Sequence, residues 1–134
     1  MINRRNILQA VGAVAVAGVA GMPAMAGSMK ALGSGMFEGR SNHVTSGSVK
    51  IVEENDRIYV ELGDDFSLDG GPDPRVGFGK DGTYAGAEGY LGALGELTGK
   101  QRFYVPKVWD VAAYNEVYIW CDVAGVPLGV ASIK

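Results

Sequence analysis

The residue best suited to chemistry in this chain is Cys121, its single cysteine. A thiolate can act as a nucleophile in redox chemistry, or it can ligate a haem iron or copper. One cysteine excludes an internal disulfide and any zinc site that is built from several thiolates. A single cysteine on the apolar face of a strand is also typical of an inert thiol that packs in the core. The sequence therefore leaves both interpretations of Cys121 open.

Strand alternation over 116–122 determines what surrounds this thiol. The apolar face carries Val117, Ile119, Cys121 and Val123, and the opposite face carries Glu116, Tyr118, Trp120 and Asp122. The aromatic residues close to Cys121 in sequence are Trp109, Tyr114, Tyr118 and Trp120. Trp120 and its neighbours could line a cofactor or relay an electron, although ordinary packing explains them equally well.

Few side chains offer a second ligand for a metal at Cys121, namely His43, Met29 and Met36. His43 is the only histidine, and its polar neighbours predict a surface turn rather than a catalytic base. Calcium could draw on the carboxylates of Asp64, Asp65, Asp69 and Asp73, but their spacing does not match an EF-hand loop. Because no acid–base pair can be assembled, the sequence favours a non-enzymatic domain over an enzyme.

The tripeptide Gly71-Pro72-Asp73 has two interpretations. Glycine permits a positive φ and proline fixes the turn that follows, so the tripeptide predicts a tight corner between strands. Alternatively, Asp73 and Arg75 line a site near the cysteine. We favour the structural corner, because turns of this composition are common.

The N-terminal segment has the features of an export signal. Arg4 and Arg5 precede a stretch without charges from Asn6 to Met29, and Ala24-Met25-Ala26 supplies a small-residue cleavage site. The run Asn3–Gln9 resembles the twin-arginine transport signal. We therefore expect residues 1–26 to be a cleaved signal and the protein to be periplasmic or extracellular. If uncleaved, the same segment is long enough to anchor the chain in a membrane.

After the signal, we expect a linker over 27–34 and one β domain over 35–134. Short alternating runs separated by Gly, Asp, Asn and Pro predict an all-β fold, a small antiparallel β-sandwich or barrel. The segment 84–99 is interpreted as strand and loop, because its four glycines oppose the helix that its leucine spacing suggests. A net charge of −3 without a Lys/Arg cluster excludes nucleic acid as a partner.

A series of motifs along the chain carries a family resemblance. These are Phe66 with Gly71-Pro72-Asp73, Leu91-Gly92-x-Leu94, Gly99-x-Gln101-x-Phe103-x-x-Pro106, Tyr114-x-x-Val117-x-Ile119-Trp120-Cys121 and Leu128-Gly129-x-Ala131-x-Ile133. In this order they resemble the DM-thirteen domain, a small all-β domain often found with DOMON domains in extracellular and membrane redox proteins. The family differs in having Tyr at Phe103, an apolar residue at Pro74 and Phe at Leu128.

The resemblance implies electron transfer centred on the cysteine, which corresponds to Cys121, either as a bare thiol or through haem. A separate redox partner is then expected. The alternative is a cofactor-free extracytoplasmic module for protein interaction or adhesion at the cell surface, in which Cys121 only packs the core.

Overall fold

The computed structural model describes residues 29–134, which form eleven β-strands. They are β1 (Met29–Gly39), β2 (Thr45–Ser46), β3 (Ser48–Glu54), β4 (Arg57–Leu62), β5 (Ser67–Leu68), β6 (Pro74–Lys80), β7 (Thr83–Tyr84), β8 (Tyr90–Ala93), β9 (Gln101–Val105), β10 (Glu116–Cys121) and β11 (Val126–Ser132). Two single-turn 3-10 helices, Gly86–Glu88 and Val111–Ala113, are the helical elements of this region. The all-β prediction is confirmed.

Nine of the strands form one antiparallel sheet that curls into a half-barrel. Its order is β7-β6-β10-β11-β1-β3-β4-β9, and β8 also pairs with β6. The remaining strands, β2 and β5, pair with each other. Because β10 lies between β6 and β11, its backbone is hydrogen-bonded on both sides, and the cysteine at its end is held by two neighbouring strands.

The hairpin of β3 and β4 shows how the sequence pattern sets the register. Val49 lies opposite Leu62 and Ile51 opposite Val60, so one face is wholly apolar and is buried. The turn uses Asn55 and Asp56 at φ angles of 53° and 68°, in the left-handed region that Asn and Asp tolerate. The predicted hairpin is confirmed.

The hollow of the half-barrel contains the core, whose largest fully buried side chains include Phe66, Phe78 and Leu62. On β10 the alternation holds for Val117, Ile119 and Cys121, which all face this core. Two details of the predicted alternation differ. Val123 is 70% exposed because β10 ends at Cys121, and Tyr118 is buried although it lies on the outer face.

The predicted linker over 27–34 is wrong from Met29 onward, where the chain is already in β1. This strand pairs with β3 from Met29–Glu54 to Met36–Ser48, with one register shift between Ala31 and Gly33. Its end pairs with β11 on the other side. Ladder hydrogen bonds to β3, with a backbone pair between Ser34 and Lys134 on the other side, therefore override the low strand propensity of this small-residue segment. The segment 84–99 does combine strand and loop as predicted.

The predicted export signal, with Arg4, Arg5, Ala24 and Ala26, lies outside the described residues and stays a prediction. Over residues 29–134, no helix has the length and apolar character needed to cross a membrane.

Candidate functional site

Cys121 is the last residue of β10, so its thiol lies where the sheet gives way to surface turns. Its backbone is opposite Pro74 of β6 and Val126 of β11. The residue is 1% exposed and belongs to the apolar core cluster. The thiol is thus covered, yet it occupies the edge of the core rather than its centre.

Two turns supply the polar contacts of the sulfur. The thiol donates a hydrogen bond to the Pro72 carbonyl oxygen, with Sγ and O 3.1 Å apart. The Ala124 N–H points at the same sulfur from 3.4 Å, within the turn that joins β10 to β11. Both polar contacts of the sulfur thus come from the backbone of surface turns.

The corner over 70–73 therefore lies directly against the thiol. Gly71 has a φ of 144°, and a Cβ there would lie 3.2 Å from Leu128 Cδ1 and 3.5 Å from His43 Cε1. Asp73 follows in the left-handed region, and its carbonyl accepts a hydrogen bond from the Asp122 N–H at 3.3 Å. The sequence predicted a tight corner, and the structure makes that corner part of the cysteine's surroundings.

Arg75 forms an ion pair with the same corner from the surface. Its guanidinium forms a fork with the Asp73 carboxylate, with Nε–Oδ1 and Nη2–Oδ2 distances of 3.0 and 2.9 Å. Nη1 donates to the Tyr90 hydroxyl at 3.2 Å. The hydrogen bonds to Asp73 raise the pKa of Arg75, so its charge is fixed. Arg75 lies opposite Trp120 on the outer face of the sheet, whereas the Cys121 thiol faces the core. That Asp73 and Arg75 line a site near the cysteine stays a prediction.

The outer face of β10 carries a compact group of rings. Trp120 stacks on Tyr84 with centroids 4.3 Å apart and planes 12° apart. Tyr118 meets both rings edge-on, with centroids 5.7 Å from Tyr84 and 6.4 Å from Trp120. A groove of about 410 Å³ runs along this face and is lined by Tyr84, Tyr118 and Trp120 together with Arg40.

Glu116 places a carboxylate beside this group. Its Oε1 accepts a hydrogen bond from the Tyr118 hydroxyl at 3.2 Å and another from the Gly82 N–H at 2.9 Å. Burial, followed by the negative charge of Glu116, raises the pKa of Tyr118 to about 12. Burial likewise raises the pKa of Tyr84. Both phenols are therefore neutral at physiological pH.

Of the other candidate ligands, His43 lies near the corner that covers Cys121, with its ring beside Gly71. His43 pairs through Nδ1 with the Asp69 carboxylate at 2.9 Å, which helps to lower the pKa of Asp69 after the larger effect of the Val44 N–H. Met29 and Met36 lie on β1 with exposed side chains, and β11 separates β1 from β10.

The four acidic residues considered for calcium have different surroundings. Asp65 bonds to Ser48, Asp69 to His43 and Asp73 to Arg75, while Asp64 lines a separate pocket. Within residues 29–134, no three His, Cys, Asp or Glu side chains are arranged to hold a metal ion.

The remaining aromatic residues of the predicted cluster pack elsewhere. Tyr114 stacks on Phe78 with centroids 5.0 Å apart, and Trp109 packs against the core. The cluster in sequence therefore divides in space, and only Tyr118 and Trp120 share a surface.

Comparison with protein families gives one match. The family described as Electron transfer DM13 matches residues 36–133. The chain belongs to this family. Comparison with curated proteins and with solved structures found no match. The matched range starts within β1 and ends just after β11, so the DM13 domain comprises nearly all of the half-barrel.

The surroundings of Cys121 in this DM13 domain do not fit a haem iron. The sulfur is covered on one side by Pro72 and on another by the Ala124 turn, and the residue is only 1% exposed. A haem ligand must present its sulfur to an open coordination position, whereas this sulfur is enclosed. Haem ligation would require the corner to move away from the sulfur.

Two residues at the surface of the DM13 domain were missed from the sequence, Tyr84 and Tyr90. Both come from the segment 84–99, whose glycines obscured its strands. One signal could have found Tyr84: β6 contains Gly79, and a glycine inside a strand often marks a close approach. A Cβ at Gly79 would overlap the ring of Tyr118, which lies next to Tyr84.

Proposed function

We propose that this protein is an exported electron-transfer domain that acts through the thiol of Cys121. The observation that carries the proposal is the hydrogen bond from Sγ to the Pro72 carbonyl oxygen, at 3.1 Å. It joins the cysteine to the Gly71–Asp73 corner, which Arg75 and Tyr90 connect to the surface. A redox thiol at the edge of the core can then be uncovered by moving one turn.

The chemistry is thiol–disulfide exchange with a partner disulfide. When the corner opens, Cys121 loses its proton to water and the thiolate attacks one sulfur of the partner disulfide. A new S–S bond forms to Cys121, the partner S–S bond breaks, and the second partner sulfur leaves as a thiolate. At this stage one partner sulfur is a free thiolate and the other is joined to Cys121. A small-molecule thiol then attacks the Cys121 sulfur and releases the second partner sulfur, so that the partner has been reduced by two electrons. A second small-molecule thiol attacks the new mixed disulfide, which restores Cys121 and leaves the small molecule as its disulfide.

Location supports the same function. Arg4 and Arg5 direct the chain to the twin-arginine route, and Ala24 and Ala26 mark its cleavage site. The protein then works in the periplasm or outside the cell, where disulfides persist and can serve as acceptors. Its redox partner is a separate protein.

A specific observation favours a second candidate, a cofactor-free interaction module with a structural cysteine. Cys121 is 1% exposed and packs with Val117 and Ile119 in the core cluster. In that case the thiol reacts only when the whole domain unfolds. Haem ligation is a third outcome, which the absorption spectrum of protein exported from a haem-competent host tests directly.

Thiol labelling separates the first two candidates, because the chain has one cysteine and every label reports on it. We would measure the reaction of the folded protein with a disulfide reagent, and global unfolding by denaturant in parallel. Gly71→Ala strains the corner by about 1–3 kcal/mol, so we expect the folded thiol to react about tenfold faster. Gly99→Ala is the matched control, since Gly99 also has a positive φ, at 95°, and a Cβ there meets nothing within 4 Å.

Electron transfer through Cys121 predicts that labelling of the wild type is faster than global unfolding and responds to Gly71→Ala alone. If labelling follows the global unfolding rate in all three proteins, Cys121 is structural and the interaction module is correct. A Soret band that disappears in Cys121→Ser would replace the bare thiol with a haem ligand.

A further inference from the structure

We propose that Trp120, Tyr84 and Tyr118 form a one-electron relay on the outer face of β10, with the Glu116 carboxylate as the proton acceptor. The relay extends the proposed electron-transfer function to single electrons. It does not use the thiol of Cys121, so the two proposals can fail separately. The partner it fits is an outer-sphere one-electron oxidant, the metal centre of a redox protein that docks at the groove.

The rings are close enough to share an electron hole. Trp120 and Tyr84 are stacked with centroids 4.3 Å apart, and the edge of Tyr118 approaches both. Trp120 and Tyr84 line the groove of about 410 Å³, so an oxidant can reach them. Tyr118 borders the same groove but is only 5% exposed. The arrangement therefore has an accessible entry and a protected end.

The packing is built into the sheet. Gly79 of β6 lies opposite Glu116 of β10, and a Cβ at this position would overlap the Tyr118 ring. Tyr84 is brought to the same place because β7 pairs with β6 through Gly79. The glycine thus leaves the space that the Tyr118 ring occupies next to β6.

The proton has a defined destination. Oxidation of a phenol releases its proton. A buried tyrosine therefore needs a base beside it to accept that proton. The Tyr118 hydroxyl already donates to Glu116 Oε1 at 3.2 Å, and the Gly82 N–H fixes that oxygen at 2.9 Å. The raised pKa of Tyr118 means that the phenol keeps its proton until it is oxidised.

The electrons and the proton balance in two steps. The oxidant takes one electron from the stacked Trp120–Tyr84 pair and leaves a radical cation on Trp120. Trp120 then takes one electron from Tyr118, whose proton passes to Glu116, so the products are neutral Trp120, a neutral Tyr118 radical and a protonated Glu116 carboxyl. A one-electron donor at the groove returns the electron, and Glu116 returns the proton.

A second tyrosine pair in the same molecule provides a control. Tyr59 and Tyr104 meet edge-on with centroids 6.0 Å apart on β4 and β9. Arg102 lies over the Tyr59 ring at 4.3 Å, which disfavours a positive radical there. Among the described hydrogen bonds, neither phenol donates to a carboxylate as Tyr118 does.

Laser flash oxidation tests the relay. We would oxidise the full-length Cys121→Ser protein with a photogenerated ruthenium(III) polypyridyl complex and follow the tryptophan and tyrosine radicals by transient absorption. The expected signal is a tyrosine radical that rises as the tryptophan radical decays. Tyr118→Phe should abolish this linked phase, and Glu116→Gln should slow it about 100-fold, since a positioned base is lost. Tyr104→Phe and Trp109→Phe should retain it.

Several results would overturn the relay. A linked phase that persists in Tyr118→Phe, or that keeps its rate in Glu116→Gln, excludes the proposed end point and acceptor. The parent protein provides a measurement that needs no further variant at the site, because the step moves a proton and should slow in deuterium oxide. An unchanged rate in deuterium oxide, or no tyrosine radical at all, also rejects the proposal.

Discussion

The two sides of the half-barrel differ in the contacts that their side chains make. On β3, β4 and β9, Arg102 pairs with Glu54 at 2.7 Å and with Glu61, and Lys50 lies 3.7 Å from Glu61. On β6, β7 and β10, rings stack on one another and the Glu116 carboxylate accepts a hydrogen bond from the Tyr118 hydroxyl. The first side is dominated by ion pairs between neighbouring strands, whereas the second carries a stack of oxidisable rings in addition to the Arg75–Asp73 ion pair.

This difference is the reason for placing the proposed electron transfer on the aromatic side. A guanidinium over a ring, as Arg102 lies over Tyr59, opposes the formation of a radical cation. A neutral ring stack next to a carboxylate permits it. Both candidate redox groups, Cys121 and the relay that begins at Trp120, lie at the end of the same strand. The charged side is accordingly expected to contribute stability and the aromatic side to contribute function.

The largest expected effect on stability comes from the charged side. Glu61 is 5% exposed, and Arg102→Ala would leave its carboxylate with only the more distant Lys50. Because an unpaired buried charge is costly, we expect a loss of about 3 kcal/mol in the free energy of unfolding, measured by denaturant titration. Arg57→Ala, an exposed change on the same strand as Glu61, is the control. A loss no larger than that of the control would contradict this division of the molecule.

A second prediction concerns pH on the aromatic side. The folded-state pKa of Tyr118, about 12, lies above its ordinary value of 10.0, so the folded state retains a proton that the unfolded chain loses. The stabilisation is complete below pH 10.0 and is lost as the pH rises through about 12. Absorbance titration of tyrosinate should therefore show a late phase, to which Tyr84 also contributes because its pKa is raised as well. Tyr118→Phe should reduce the amplitude of this phase and Tyr104→Phe should leave it in place. An unchanged amplitude in Tyr118→Phe would contradict the assignment.

Sequence patterns predicted the elements whose two faces differ in polarity. The β3–β4 hairpin and the inward direction of Cys121 followed from alternation alone. β1 was missed, because partners on both sides form the strand and its composition does not. The relay could not be predicted either, since Tyr84 meets Trp120 only after β7 and β10 have paired with opposite edges of β6. Such proximity depends on sheet order, which single-strand periodicity does not encode.

The third prediction tests the packing beneath the rings. Gly79→Ala introduces a methyl group into the space of the Tyr118 ring, and we expect a loss of about 2 kcal/mol, as for overpacked interiors. The control is Gly82→Ala, at a turn glycine whose added Cβ meets no heavy atom within 4 Å. Because Gly82 has a φ of 88°, its variant measures backbone strain without ring displacement. Equal losses of unfolding free energy in the two variants would show that the Tyr118 ring is not tightly packed against β6.

The smallest effect on stability is expected for a substitution at Arg75, on the aromatic side. Arg75 and Asp73 are partly exposed, with side-chain exposures of 30% and 34%, so Arg75→Ala should cost only about 0–1 kcal/mol, against about 3 for Arg102→Ala. Its effect on chemistry should be the reverse, because the fork to Asp73 holds the corner over Cys121. Labelling rates would be compared at denaturant concentrations equally far below each variant's unfolding midpoint. Under these conditions we expect the thiol to be labelled faster in Arg75→Ala than in the wild type, and at the wild-type rate in Arg102→Ala. If labelling instead follows stability in both variants, the ion pair of Arg75 has no specific part in covering the thiol.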